Sequence, residues 1–200
     1  MGLELPDGLT LYFARHGQTQ ANVEKRFSGY KDTPLTELGL WQAAQVGHIL
    51  KRELGTAPGY DFISSPLARA VTTMEIARRT MGLPEQGFAT DNRLKEIDLG
   101  TWDQLTDAQA RAVSPVLFEQ RSNDKWHVRV PGGENYAEVA ARVSDWLREL
   151  KSDTIAISHG ATTRILRGLL AGLDWRSMSS LDEPQGIVFR VRGRDVVRLD

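Results

Sequence analysis

The stretch Leu9-Thr-Leu-Tyr-Phe-Ala-Arg-His-Gly17 joins an apolar, β-prone run to an abrupt polar end. Residues 9–14 are typical of a buried strand in an α/β sheet, because strands covered on both faces have continuous apolar sequences. The strand is predicted to end at Arg15-His16-Gly17. An imidazole and a guanidinium are therefore expected at its carboxyl end.

Two later strands are predicted to end in the same way. Residues 60–64 lead into Ser64-Ser65-Pro66, and residues 154–157 lead into Ser158-His159-Gly160. A helix is predicted to begin at Pro66, since proline is tolerated at the first helical position, and another is predicted over 161–171. The other predicted elements are a loop over 18–35, a helix from Thr36 to a break at 55–59, a weaker strand over 88–94, one or two short helices over 107–121, a helix over 134–150 and a hairpin over 187–199.

Strands and helices alternate along most of the chain, and this alternation determines the predicted fold. Crossover connections favour parallel strands with helices on both faces. We therefore expect an α/β fold with three αβα layers, in which helices flank a mostly parallel central sheet. One domain is expected over residues 1–200, and residues 101–130 are predicted to form a lid or specificity insertion. Ligands of such sheets bind beyond the carboxyl ends of the strands.

The composition excludes several classes of protein and site. The chain has 200 residues, 25 Lys and Arg against 26 Asp and Glu, and no cysteine. The absence of cysteine excludes a disulfide framework, a thiolate nucleophile and a cysteine zinc site. The balanced charge gives no reason to expect nucleic acid or membrane as a partner. A cytoplasmic location is expected, because residues 1–8 do not resemble a signal peptide; a homodimer is left open.

The polar strand ends supply the groups that an anionic phosphoryl ester requires. Arg15 and Arg69 can bind phosphate oxygens, and the N-termini of the helices predicted after these strand ends add backbone N–H groups. Positive charge near His16 or His159 disfavours protonation of the imidazole, and a neutral imidazole can attack phosphorus. Glu96 is the expected proton donor to the leaving alkoxide. No metal and no cofactor are required, because the arginines neutralise the phosphoryl charge.

Several motifs occur together in a consistent order, and with them the chain resembles the histidine phosphatase superfamily, also called the phosphoglycerate mutase-like family. The motifs are Arg15-His16-Gly17 with Thr19 and Asn22, Pro34-Leu-Thr36 with Gly39, Ser64-Ser65-Pro66-Leu67 with Arg69-Ala70, Glu96 with Gly100, Pro131-Gly-Gly-Glu134, and Ser158-His159-Gly160. The resemblance covers nearly the whole chain.

The resemblance implies a role for each matching residue. His16 would form a phosphohistidine, while Arg15, Arg69 and His159 would hold the phosphoryl oxygens. Glu96 would donate the proton, although Asp91 and Asp98 are nearby carboxylates that compete for this role. The implied phosphate or substrate contacts are Asn22, Ser28, Gly29 and Gly160.

The segment that begins at Glu96 favours the phosphatase branch of the family. Mutases of this family carry Glu-Arg-His-Tyr-Gly, whereas this chain reads Glu96-Ile-Asp-Leu-Gly100. We therefore expect a histidine acid-type phosphatase that hydrolyses a small phosphorylated metabolite. The alternatives are a phosphoglycerate mutase and a non-catalytic phospholigand-binding module; a metallohydrolase is disfavoured because no His-Glu-x-x-His motif occurs. Candidate specificity residues in the insertion are Trp102, Trp126, His127 and Arg129.

Overall fold

Six strands form one mixed sheet in the computed structural model, which describes residues 4–200. They are β1 (Thr10–Arg15), β2 (Asp61–Ser64), β3 (Ala89–Thr90), β4 (Thr154–Ser158), β5 (Val188–Arg192) and β6 (Asp195–Leu199). The spatial order is β3-β2-β4-β1-β5-β6. The first four strands of this order are parallel, and the β5–β6 hairpin joins β1 antiparallel. The predicted mostly parallel sheet and terminal hairpin are confirmed.

The helices follow the strands as crossover connections. In the described part of the chain they are α1 (Gln20–Val23), α2 (Glu37–Leu54), α3 (Ala68–Met81), α4 (Asp107–Val113), α5 (Pro115–Asn123), α6 (Tyr136–Arg148), α7 (Gly160–Leu170) and α8 (Trp175–Ser180), with 3₁₀ turns at Asn92–Leu94 and Gly100–Trp102. Across residues 4–200, none of these helices combines the length and apolar character that a membrane crossing requires.

The two faces of the sheet bury different sets of side chains, as the period of two along β1 requires. Tyr12 and Ala14 pack in one cluster with apolar residues of α2 and α3. Leu11 and Phe13 face the other way, where Trp146 of α6 lies in the same cluster and α7 adds two leucines. The three αβα layers expected from the sequence are confirmed.

Residues 100–130 fold around a small cluster of their own. Trp102, Ala110 of α4, Phe118 of α5 and Val130 are buried together. The predicted short helices in this stretch are confirmed as the α4–α5 pair.

Two predicted boundaries are wrong for local reasons. The strand predicted over 88–94 ends after Thr90, because the Asp91 side chain accepts from Arg93 N–H and caps a 3₁₀ turn. The helix predicted to begin at Pro66 begins at Ala68, whose N–H donates to the Asp32 carboxylate at 2.7 Å.

The loop predicted over 18–35 contains α1, which a Thr19–Asn22 capping box stabilises. Helix α8 was not expected; the Asp174 side chain caps it by accepting from Arg176 and Ser177 N–H.

Candidate active site

The three polar strand ends meet at one edge of the sheet. Arg15 pairs with Ser158 in the β1–β4 register, and Ser64 pairs with Ile157 in the β2–β4 register. The residue after Arg15, His16, donates its backbone N–H to the Ser158 carbonyl at 2.9 Å. The convergence predicted from the sequence therefore occurs.

Gly17 lets the chain after His16 pass close to the backbone of α2. A Cβ on Gly17 would collide with the Gly39 carbonyl, and a Cβ on Gly39 would collide with the Gln18 carbonyl. Glycine at both positions allows the segment after β1 to approach the first turn of α2 at backbone distance.

His16 is buried in the tautomer that leaves Nε2 free to react. Its Nδ1 lies 2.7 Å from the Gly17 carbonyl oxygen, which can only accept, so Nδ1 carries the proton and Nε2 the lone pair. Arg69 Nε lies 3.3 Å from Nε2, a long separation for a charge-assisted hydrogen bond. Burial lowers the pKa of His16 well below its usual range, and the charges of Arg15 and Arg69 lower it further.

Arg69 fixes the loop that precedes α2. Its side chain is fully buried and forms an ion pair with Asp32 at 2.7 Å. It also donates to the carbonyl oxygens of Gly29 at 2.7 Å and Ser28 at 3.3 Å. Asp32, which the sequence analysis missed, therefore holds both Arg69 and the N-terminus of α3.

His159 lies beside His16, with the ring centroids 5.1 Å apart. Its Nε2 shares a hydrogen bond of 2.7 Å with Ser65 Oγ, while its buried Nδ1 has no partner among residues 4–200. Burial, then the charge of Arg69, lowers the pKa of His159 well below its usual range. Both imidazoles at this edge are therefore neutral.

Glu96 lies against the N-terminus of α7. One carboxylate oxygen accepts from Ile97 N–H at 2.9 Å, and the two oxygens accept from Ala161 and Thr162 N–H at 3.3 Å each. Arg142 donates to the Glu96 carbonyl at 3.0 Å and fixes the backbone. Burial raises the pKa of Glu96, the negative charge of Glu183 raises it further, and the Ile97 hydrogen bond opposes both.

Glu183 joins two arginines at the mouth of this site. Its carboxylate contacts Arg164 at 2.9 Å and Arg15 at 3.7 Å, and its carbonyl accepts from Arg15 at 2.6 Å. A Cβ on Gly160 would collide with the Glu183 carboxylate, so glycine at the first position of α7 makes room for it. Sequence patterns do not single out Glu183, which follows the acidic residue Asp182 in a loop.

Several buried nitrogens of residues at this site have no partner. Within residues 4–200 these include Arg15 Nε, His159 Nδ1 and Arg164 Nε. A buried donor without a partner destabilises the protein by about 1–3 kcal/mol, and an oxyanion would satisfy it. The site is therefore arranged for an anion.

A cleft of about 390 Å³ opens onto these groups. Five of the predicted site residues line it: Arg15, His16, Asn22, Ser28 and Glu96. Other residues that line the cleft include Phe27, Ile97, Leu99, Asp107, Arg121, Lys125, Tyr136, Arg164 and Glu183.

The remaining predicted site residues lie next to the cleft and do not line it. Arg69 and His159 are buried beside His16, and Gly160 packs against Glu183. Gly29 contributes its carbonyl to Arg69 and its N–H to Asp103, so its interactions are structural.

Glu96, and neither competing carboxylate, faces the cleft. Asp91 is paired with Arg93 at 2.7 Å, and Asp98 accepts from Gly100 N–H at 2.9 Å. Asn22 has two functions in the structure, since its side chain accepts from Thr19 N–H in the α1 cap and also lines the cleft.

The specificity residues suggested within the insertion do not line the cleft. Trp102 and Trp126 pack in apolar clusters, and His127 and Arg129 lie on the surface, paired with Asp124 and Glu138. The insertion instead presents Asp107, Arg121 and Lys125. Sequence spacing could not select these three from the many charged residues of this stretch.

Residues 4–200 contain no cluster of three or more His, Asp or Glu side chains arranged to hold a metal ion.

Comparison with known proteins agrees with this geometry. The sequence model of the histidine phosphatase superfamily (branch 1) matches residues 11–195. A relative from Salmonella paratyphi C, named "Probable phosphoglycerate mutase GpmB", is 35% identical over an alignment of 170 residues; the match covers 82% of this chain and 76% of the relative.

Two solved structures have the same fold. The alpha-ribazole phosphatase from Shigella flexneri has a TM-score of 0.81 and 25% identity, covering 94% of each chain. A mycobacterial glucosyl-3-phosphoglycerate phosphatase, in complex with VO3, has a TM-score of 0.76 and 28% identity, covering 96% of this chain and 98% of its own. The match to the superfamily model over most of the chain establishes that the protein belongs to branch 1 of the histidine phosphatase superfamily.

Proposed function

We propose that this chain is a phosphomonoesterase that hydrolyses a small phosphorylated metabolite through a phosphohistidine on His16. The observation that carries the proposal is the neutral, buried His16, whose unprotonated Nε2 lies 3.3 Å from Arg69 Nε, in a site that also contains buried nitrogens without partners. A nucleophile of this kind needs its lone pair, and the arginines stabilise the charge on the phosphoryl oxygens.

In the first step, Nε2 of His16 attacks phosphorus. The nitrogen–phosphorus bond forms while the bond to the leaving oxygen breaks, and Glu96 donates its proton to that oxygen. In the second step, water attacks phosphorus, Glu96 accepts a proton from this water, and the nitrogen–phosphorus bond breaks. His16 regains its lone pair and inorganic phosphate is released.

An acid-type pH dependence is part of the proposal. The lowered pKa of His16 keeps the imidazole neutral at acidic pH, and the raised pKa of Glu96 keeps the carboxyl protonated there. Both groups are then in the form that the first step requires.

Phosphate release in the presence of EDTA tests the function. We expect the protein to release phosphate from 3-phosphoglycerate, sugar phosphates and an aryl phosphate without added metal. Absence of release from every ester, or release that EDTA abolishes, would overturn the proposal.

A mutase is the second candidate, and the name of the Salmonella relative favours it. Both activities would use the same phosphohistidine. A mutase converts 3-phosphoglycerate to 2-phosphoglycerate without net phosphate release, so measuring both products from one reaction distinguishes them. We expect release to exceed isomerisation, because Ile97 and Leu99 replace the Arg and Tyr of the mutase motif.

The charge of Glu183 should influence the pH at which kcat/KM falls on the basic side of its profile. The negative charge of Glu183 raises the pKa of Glu96, so Glu183→Gln should lower that pKa. Glu96 then loses its proton at a lower pH, and the basic limb of the kcat/KM profile moves to lower pH. Arg15 and Arg69, which oppose Glu183 at this carboxyl, remain in place.

Asp182→Asn is the matched control for this variant. Asp182 is the preceding residue and has the same charge, but its side chain is exposed and pairs with Arg167, which does not line the cleft. Its removal should leave the basic limb unchanged. A basic limb that stays at the wild-type pH, or moves to higher pH, in Glu183→Gln would contradict the assigned influence of Glu183 on the pKa of Glu96.

We also propose that residues 101–130 set the substrate specificity. Asp107, Arg121 and Lys125 support this, since all three line the cleft together with His16.

A further inference from the structure

A loop near the end of the chain contacts the segment that follows β1. This loop, residues 181–187, connects α8 to β5. The carbonyl of Glu183 in the loop accepts from Arg15 at 2.6 Å, and the Gln185 side chain donates to the His16 carbonyl at 3.0 Å. Gln185 therefore contacts the backbone of the proposed nucleophile from a distant part of the sequence.

The His16 carbonyl determines which way the Gln185 amide faces. A carbonyl oxygen can only accept, so the amide nitrogen of Gln185 lies on this side. The same nitrogen, Nε2, lies 3.3 Å from Oδ1 of Asn22. Because Nε2 carries two protons, it can donate one to each oxygen. Gln185 thus connects the backbone of His16 to the side chain of Asn22.

Protein donors occupy the side-chain oxygen of Asn22. It accepts from Thr19 N–H at 3.1 Å and from Gln185 Nε2. An amide oxygen has two lone pairs, and these two donors use both of them. The amide nitrogen of Asn22 forms no hydrogen bond with any residue from 4 to 200. Since Asn22 lines the cleft, its two amide protons are available to a ligand there.

The backbone of the loop is held on both sides of Gln185. Arg167 donates to the Asp182 carbonyl at 2.7 Å. Gly186 has a φ of 74°, which favours glycine, and a Cβ on it would lie 3.2 Å from Cγ of Gln42. The loop therefore presents the Gln185 amide from a fixed position.

We propose that Gln185 is a positioning residue that acts through Asn22. By occupying the second lone pair of the Asn22 oxygen, it keeps the amide nitrogen turned towards the cleft, where this nitrogen donates to the phosphoryl group. Without Gln185, only the Thr19 N–H holds the Asn22 amide. Gln185 itself does not line the cleft. This inference rests on the proposed function, because the phosphoryl group is the ligand that the Asn22 amide meets.

Gln185→Met tests the proposal, since methionine is unbranched like glutamine and donates no hydrogen bond. The Kd of inorganic phosphate, measured by titration calorimetry, should rise by about three- to tenfold, the effect of one hydrogen bond. We expect kcat/KM to fall by a similar factor through KM, with kcat within about twofold of the wild type. The loss should be the same for an aryl and an alkyl phosphate, because Asn22 contacts the phosphoryl group and not the leaving group.

Gln86→Met is the matched control, because Gln86 is an exposed glutamine in the connection between α3 and β3. It should change neither the Kd of phosphate nor KM.

A double-mutant cycle with Asn22→Ala separates positioning from a general structural role. If Gln185 acts through Asn22, Gln185→Met should change the Kd of phosphate by less than about twofold in the Asn22→Ala background. Asn22→Ala also removes a side chain of the α1 capping box, so circular dichroism and thermal unfolding verify that each variant is folded.

An equal change of Kd by Gln185→Met in the wild-type and Asn22→Ala backgrounds would overturn the proposal, because the effect would then be independent of Asn22. If Asn22→Ala does not fold, Gln185→Met alone decides: an unchanged Kd of phosphate, or a loss confined to kcat, would overturn it. Absence of turnover on every ester refutes the phosphatase function instead. The calorimetric cycle then still tests the positioning role of Gln185.

Discussion

Replacing His16 by alanine is expected to lower the rate of phosphate release by about 10⁴-fold or more, because the variant lacks the nitrogen that forms the covalent bond to phosphorus. The contacts that hold the site remain: Arg69 keeps its ion pair with Asp32, and His159 keeps its hydrogen bond to Ser65. The measurement compares the rates of phosphate release from an aryl phosphate by His16→Ala and by the wild type.

His48→Ala is the control for this variant, since His48 lies exposed on α2. It should keep wild-type activity. The His16 variant should still bind inorganic phosphate in a calorimetric titration, which separates loss of chemistry from loss of folding. Near-normal turnover in a folded His16→Ala protein would refute the proposed nucleophile.

Replacing Glu96 by glutamine is expected to lower phosphate release from an alkyl phosphate by about 10²–10⁴-fold, because the amide has no proton of suitable acidity for the leaving oxygen. The loss in the first step should be smaller for 4-nitrophenyl phosphate, whose leaving group needs little protonation. The second step should still be slow, since glutamine cannot accept the proton of the attacking water. A rapid burst of 4-nitrophenol followed by slow turnover is therefore expected.

Asp98→Asn is the matched control for Glu96→Gln. Asp98 is two residues away and accepts from Gly100 N–H, but it does not line the cleft. Asp98→Asn should lose less activity than Glu96→Gln with every ester. An Asp98→Asn variant that shows the burst, beside a Glu96→Gln variant that does not, would transfer the acid role to Asp98.

The sequence predicted the parts of the site that follow from strand ends and motifs. Apolar strands stop at Arg15-His16 and at Ser158-His159, and parallel pairing brings those ends together. The strand predicted over 88–94 is shorter in the structure. Asp91 caps a local turn, and this side-chain hydrogen bond ends β3 after two residues.

The missed residues reach the site through tertiary contacts. Glu183 comes from the loop before β5, and Asp32 comes from the loop before α2. Each is one carboxylate without periodicity or a neighbouring motif, so only the folded arrangement shows that they hold Arg15 and Arg69.

Detection of the covalent intermediate is the most direct test of the proposal that His16 forms a phosphohistidine. The Glu96→Gln variant is mixed with 4-nitrophenyl phosphate, quenched at alkaline pH, digested and examined by mass spectrometry, with wild type and His16→Ala beside it. We expect one acid-labile phosphoryl group on the peptide that contains His16, attached through Nε2, and none in His16→Ala. A phosphoryl group on another residue, or continued turnover without any phosphorylated peptide, would contradict it.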